Sequence, residues 1–502
     1  MKYLYSTLLL IIYTSGFSQV STSAEDILQS LKIQNELIEN SIVKNLEFKN
    51  IGPSVMSGRV TDLEVNPNNP SEFYVAYASG GLWHTVNNGN TFSPIMDNSD
   101  TQNIGDFDID WNTRLIIVGT GENNSSRSSY AGVGILKSND NGKTWKNIGL
   151  NDSHHIGKIV INPNNPNEIV VAVLGHLYSK NKERGIFKTI DGGVTWENTL
   201  YIDESTGIID LDISPNNFKI QFASSWQKSR KAWDFKGNGE KSGIYKSVDS
   251  GNTWNLISTQ KSGFPTGNGV GRIGLAVFDS KTLYAVVDNQ FRRPKSKAST
   301  EKTDLSKNYF KSISKERFLK IDNLKLDKFL TTNSFPKKYN STKIKELVKN
   351  DLIKPSDLKL YLEDANTVMF ETPIIGAQVY RSDDGGLNWT LKNSYYLDRL
   401  YNTYGYYFGK IHVSPVNKDD IYIYGVPFIK SNDGGVTYKS IDYPNVHVDH
   451  HDLWINPKNP KHLINGNDGG VNISYDDGEN WLKLNQPSVG QFYTINVDDE
   501  TP

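Results

Sequence analysis

The sequence predicts an all-β chain built as a β-propeller of about seven four-stranded blades, on three observations. One eight-residue pattern, Ser/Thr-x-Asp/Asn-x-Gly-x-Thr/Asn-aromatic, occurs seven times. Its copies begin at Thr85, Ser138, Thr189, Ser247, Ser382, Ser431 and Ser474. Five of the six spacings lie between 43 and 58 residues, close to the length of one four-stranded blade. Short alternating runs rich in β-branched and aromatic residues stand between the copies, bounded by Pro/Asn/Gly turns.

Each copy follows an apolar run such as Gly185-Ile-Phe-Lys-Thr189 and reads as the corner of a hairpin. The glycine supplies a positive φ that other residues reach at a cost. The residue at the third position accepts backbone N–H bonds within the corner. That assigns a structural role to Asn87, Asp140, Asp191, Asp249, Asp384, Asp433 and Asp476. The closing aromatic buries a large ring. Val60–Pro67, Lys158–Pro163, Ile411–Pro415 and Leu453–Pro457 read as first strands of blades. Glu72–Ala76, Glu168–Ala172 and Asp420–Tyr424 read as second strands.

The 502 residues divide accordingly. Residues 1–18 carry one lysine, an apolar run and small residues at Gly16 and Ser18, the pattern of a signal peptide cleaved before Gln19. Residues 19–45 form a polar leader, and the propeller occupies 46–488. The long gap between the fourth and fifth copies hides an insertion at 291–372, Lys-rich and with helical spacing. Helices are expected to start at Ser314, Ser341 and Pro355. The insertion splits the fifth blade, whose strands read as Gly271–Val277, Thr282–Val287 and Ala377–Arg381. Residues 489–502 read as the first strand of a further blade in a longer protein, or as a strand that closes the ring against the first blade.

With 54 basic and 56 acidic residues, the charge balance gives no reason to expect a nucleic-acid partner. There are no cysteines, which excludes disulfides, thiolate chemistry and a lipoprotein anchor. The apolar start is short for a membrane span, so the expected location is secreted, periplasmic or at the cell surface, with no span after cleavage.

The seven corners are Asp-boxes, the BNR repeat. Together with Phe48-Lys-Asn-Ile-Gly-Pro53, Ser57-Gly-Arg-Val60, Gly80-Gly-Leu-Trp-His-Thr85, Gly119-Thr-Gly-Glu122, Val379–Gly386, His447-Val-Asp-His-His-Asp452 and Gly466-Asn-Asp-Gly-Gly470, they resemble a bacterial family of secreted Asp-box propellers related to the sortilin N-terminal domain. That resemblance implies a binding protein. Some members are described as glycosyl hydrolases by analogy. The blade architecture is also similar to that of the Asp-box endo-xyloglucanases. Their first catalytic Asp precedes a Gly-Gly pair in blade one, whereas Tyr77-Ala-Ser-Gly-Gly81 carries no carboxylate there. Sialidases need an arginine triad and a tyrosine nucleophile with its Glu, and Arg292-Arg-Pro294 is a poor match to their signature.

In propellers, ligands usually meet the face opposite the corners, where the loops leading into the blades and those between second and third strands lie. Asp468, Asp449 and Glu122 are the candidate catalytic carboxylates, because glycoside hydrolysis needs two carboxyls about 5–10 Å apart. His447, Asp449 and His451 would share one side of an extended strand and are the candidate ligands for a divalent metal, the one cofactor considered. Arg127, Tyr130, His176, Trp226, Arg230, Trp233, Tyr404, His450 and His451 are candidate ligand contacts, since aromatics with interspersed cations suit sugar stacking or peptide binding. His154 and His155 lie on the same face. No strong catalytic motif is present. The leading expectation is a module that binds a peptide, glycan or secreted protein; a glycosyl hydrolase is the alternative, and a scaffold in a larger secreted assembly the third reading.

Overall fold

The computed structural model describes residues 21–46, 52, 58–294, 305–362 and 374–490, apart from 334, 336, 337, 399, 402, 403 and 443. Seven four-stranded antiparallel sheets follow one another along the chain, each with consecutive strands paired. The blades begin with inner strands Val60–Val65, Ile104–Asp110, Ile156–Ile161, Thr206–Ile213, Val270–Val277, Lys410–Val413 and His450–Ile455. Second strands are buried on nearly every residue and inner strands on most, because blades pack on both faces. The outermost strands, such as Lys146–Asn147 and Lys439–Ser440, are two to four residues long and mostly exposed. Short outer strands limit edge-to-edge pairing.

The corners all make the same bonds. The third-position side chain accepts the backbone N–H four residues on at 2.8–3.0 Å in every copy. The leading Ser or Thr hydroxyl accepts the N–H of the glycine at 2.8–3.0 Å. The glycine is where the next contact forms. Gly142, Gly193 and Gly478 back onto Ile95, Ile148 and Ile441, which lie beside the outer strand of the preceding blade. The indoles of Trp145, Trp196 and Trp481 donate to the carbonyls of those same isoleucines at 2.8, 2.8 and 2.7 Å. Each corner thus ties its blade to the one before it.

The ring closes by the same rule. Gly89 of blade 1 backs onto Leu484 of blade 7, where an added Cβ would stand 2.3 Å from the Leu484 Cδ1. Asp452 Oδ2 of blade 7 accepts the Leu63 N–H of blade 1 at 2.9 Å. The expected strand within 489–502 falls almost wholly outside the described residues, as does the signal-peptide segment.

The corners rest on the turns between first and second strands, as in the 2.9 Å bonds from Gly192 N to Asn167 O and from Gly434 N to Asp419 O. Antiparallel pairing then sends the loops leading into the blades, and those between second and third strands, to the opposite face. Within the insertion, helices Lys315–Leu319, Asn323–Thr332, Ser341–Lys349 and Pro355–Leu362 enclose a separate core around Phe310, Phe318, Phe329 and Ile344. Their starts match the expected Ser314, Ser341 and Pro355. The helix capped by Asp322 was not anticipated. The leader holds a helix, Ala24–Asn40, with no buried residue.

Candidate functional site

Six inner strands carry a register shift near their channel-mouth end or that of the strand beside it, including one between His450 and Asp452. Such bulges re-aim side chains. In blade 7 the bulge overturns the expected alternation. The strand begins only at His450, Asp449 sits at φ 67, and His451 is the extra residue. His447, Asp449 and His451 therefore do not line one side of a strand. His447 Nδ1 lies 2.5 Å from the Val448 carbonyl, and His451 Nε2 bonds Asp468 Oδ1 at 2.8 Å. His450, expected as a ligand contact, is buried, with Nδ1 on Asn465 Oδ1 at 2.8 Å.

The three candidate carboxylates do converge. The backbone of Asp468 donates to the Asp449 carbonyl at 3.1 Å. The Arg59 guanidinium pairs with Glu122 on one side and reaches Asp468 at 3.4 Å on the other. Glu122 is buried, so it anchors Arg59 and does not front the cleft. Asp449 and Asp468 face a cleft of about 410 Å³, with Tyr404, Tyr406, Tyr407 and Phe408 in its walls. Arg59 lies over the Tyr407 ring, 5.0 Å from its centre. Burial, then the charge of Asp468, pushes the Asp449 carboxyl up. Burial also acts on Asp468, but the hydrogen bond and charge of His451 and the charge of Arg59 outweigh it and hold this carboxyl low. The pair is thus split into a group that favours its proton and a group that favours its charge.

A second cleft, about 430 Å³, adjoins the first. Tyr406 lines both, and Ser126 in one is followed by Arg127 in the other. The second cleft is built on a feature absent from the sequence reading: a two-stranded ribbon, Ser229–Lys231 with Asp234–Lys236, between the second and third strands of blade 4. Arg230 pairs across it with Phe235, and Trp233 at the tip is 83% exposed. Tyr130 is exposed as expected. Trp226, expected as a ligand contact, is fully buried; its indole N–H donates to the Gly237 carbonyl at 2.8 Å, which supports the ribbon from below.

Among the described residues, one trio brings three ligating atoms within 4.8 Å of one another: Asp152, His154 and His176. His176 Nε2 lies 3.0 Å from Asp152 Oδ1, and His154 Nε2 is buried without a partner. The donor types suit a divalent ion. However, the two imidazoles are stacked, 3.6 Å between centres. Their in-plane lone pairs run side by side, so holding an ion requires one ring to turn. His155 is buried, its Nδ1 against the Glu122 carbonyl at 2.8 Å.

The residues missed by sequence reasoning are Arg59 and Asp152. Arg59 precedes the inner strand of blade 1, in a lead-in loop of the same kind as the one that holds Asp449. Asp152 stands two residues before His154, a spacing that could have drawn notice.

No protein-family model matches the chain, and no curated protein does. Solved structures do. A GH74 xyloglucanase from Xanthomonas campestris is similar at 12% identity and a TM-score of 0.51, over 85% of this chain and 53% of that one. An ancestral GH74 enzyme is similar at 14% identity and a TM-score of 0.51, over 86% of this chain and 47% of that one. The chain spans about half the length of these two structures. YCF48 bound to D1 peptide matches at 11% identity and a TM-score of 0.44, over 86% of this chain and 98% of that one. At such identities the GH74 likeness shows the propeller fold.

Proposed function

We propose that this chain is a secreted propeller that binds an extended ligand, a glycan or peptide, in the groove on the face opposite the corners. The observation that carries this reading is the continuity of two clefts through Tyr406, with aromatic rings along the whole run. Aromatic side chains offer large contact area at little conformational cost. The signal-like start supports export.

The opposed shifts of Asp449 and Asp468 favour glycoside hydrolysis as a second reading, with Asp449 as acid and Asp468 as base or nucleophile. Calorimetric titration of short oligosaccharides and peptides tests the first reading. Tyr406→Ala is expected to weaken any bound ligand about tenfold, the loss of one aromatic contact. Wild-type protein that binds none of them contradicts it. Hydrolysis assays on the same oligosaccharides test the second. Equal turnover by wild type and Asp468→Ala eliminates Asp468 as a catalyst.

A further inference from the structure

Arg230, in the wall of the second cleft, has no counter-ion, and neither does Lys228, buried two residues before it in the chain. Lys228 and Arg230 are each only 6% exposed, and among the described residues neither meets a carboxylate. Lys228 Nζ lies over the Trp226 ring at 5.7 Å. The Arg230 guanidinium lies over Phe235 at 4.0 Å and Tyr406 at 5.4 Å, and its Nε has no hydrogen-bond partner. Buried charges are normally paired, because removing them from water is costly. Two unpaired cations side by side raise that cost, and burial together with the charges of Arg184 and Arg230 presses the Lys228 ammonium well down.

The other charges facing this cleft do not neutralise it. Arg127 and Lys231 add positive charge and Asp234 removes some. Asp288, also in the wall, is engaged by its neighbour Gln290: both its oxygens accept from Gln290 Nε2, at 2.7 and 2.8 Å, and burial pushes its carboxyl up to about 7. The balance leaves a cationic pocket, roofed by aromatic rings and beside an exposed indole.

We propose that this end of the groove is a subsite for a carboxylated sugar, a uronate unit of an acidic glycan. The carboxylate would sit on the terminal nitrogens of the Arg230 guanidinium, in the cleft wall, where a guanidinium offers parallel N–H donors. The sugar ring would lie against Trp233. A uronate supplies both the anion and a flat face for the indole within one residue, and Arg230 and Trp233 stand three residues apart on one short ribbon. This inference rests on the groove being the binding face.

The test is calorimetry with a short oligogalacturonate, its methyl ester, a neutral xyloglucan oligosaccharide and a neutral peptide. The acid is expected to bind at least about tenfold more tightly than its ester, with an affinity that falls as salt rises. Arg230→Gln and Trp233→Ala are each expected to weaken it about tenfold. Trp233 is exposed at a ribbon tip, so that variant keeps the test alive if Arg230→Gln fails to fold. An ester that binds as well as the acid overturns the subsite, as does an acid whose binding ignores both variants. Binding of the neutral glycan or peptide that falls in Tyr404→Ala but not in Arg230→Gln or Trp233→Ala overturns the uronate subsite and leaves the groove standing. Wild type that binds none of the probes overturns both.

Discussion

Aspartate does the same job in two parts of this ring and meets opposite electrostatics in each. In the corners, aspartates on the rim accept backbone N–H bonds within their own blade. Along the channel, aspartates of the inner strands accept N–H bonds from the next blade. Asp62, Asp106, Asp108, Asp210, Asp212 and Asp452 accept from Phe107, Ile159, Ile161, Leu275, Val277 and Leu63 at 2.6–3.1 Å. Water solvates the first set, so hydrogen bonds dominate: Asp140 and Asp433, held first by the side chain and N–H of the following Thr, lie at about 2. In the second set, burial dominates at Asp108 and Asp212 and raises both to about 7 despite equally good hydrogen bonds. Surroundings, more than hydrogen-bond number, decide the charge state. The channel mouth combines both regimes in one pair, Asp449 and Asp468.

The largest expected effect breaks a corner. Trp481 is buried between blades 6 and 7 and donates to Ile441. Trp481→Ala should cost about 3–5 kcal/mol, measured by urea unfolding. A loss under about 1 kcal/mol would mean that the corners do not join the blades. Next comes the channel. Asp452→Ala leaves the Leu63 N–H unpaired and removes a carboxylate 3.5 Å from the Lys410 ammonium. It should cost about 1–3 kcal/mol, and Asp452→Asn, which keeps an acceptor, should cost less. Equal losses would assign the effect to charge alone.

The pH dependence of stability sharpens the contrast. Asp140 and Asp433, held at about 2, stabilise the fold fully above the unfolded value of about 3.9. That contribution is lost as pH falls toward 2. Asp108 and Asp212, raised to about 7, take up protons on folding between about 4 and 7, so their penalty is complete above 7 and absent below about 4. Histidines held below their ordinary value, such as His154, His412 and His450, destabilise the fold as pH falls below about 6.5, so the channel contribution is read by difference: the thermal midpoint of Asp212→Asn minus that of wild type should increase from about pH 5 to about pH 8. A difference that does not change with pH contradicts the assignment for the channel.

The corners were legible in the sequence because every bond that defines them lies within eight residues. The channel was not. Its partners stand far apart, as Asp106 and Ile159 do, and an Asp alternating with apolar residues looks like any half-exposed strand. The candidate carboxylates were found from the loop class that holds them. Their arrangement was not, because a bulge at His451 and the φ of Asp449 defeat simple alternation. Arg59, which joins Glu122 to Asp468, comes from the far end of the ring and becomes a neighbour only on closure. The ribbon carrying Arg230 and Trp233 is too short to announce itself, and Trp226 beneath it could not be told from an exposed ring by residue type.

In the proposed assignment the corner face supplies stability and the groove recognises the ligand. The direct test is a paired measurement of binding and thermal midpoint in Tyr406→Ala and Asp433→Ala, against whichever oligosaccharide or peptide the wild type binds. Tyr406→Ala should lose about tenfold in affinity with little change in midpoint. Asp433→Ala should lose about 1 kcal/mol of stability, as a lost cap does, at unchanged affinity. If Asp433→Ala abolishes binding while Tyr406→Ala leaves it intact, the faces have been assigned the wrong way round.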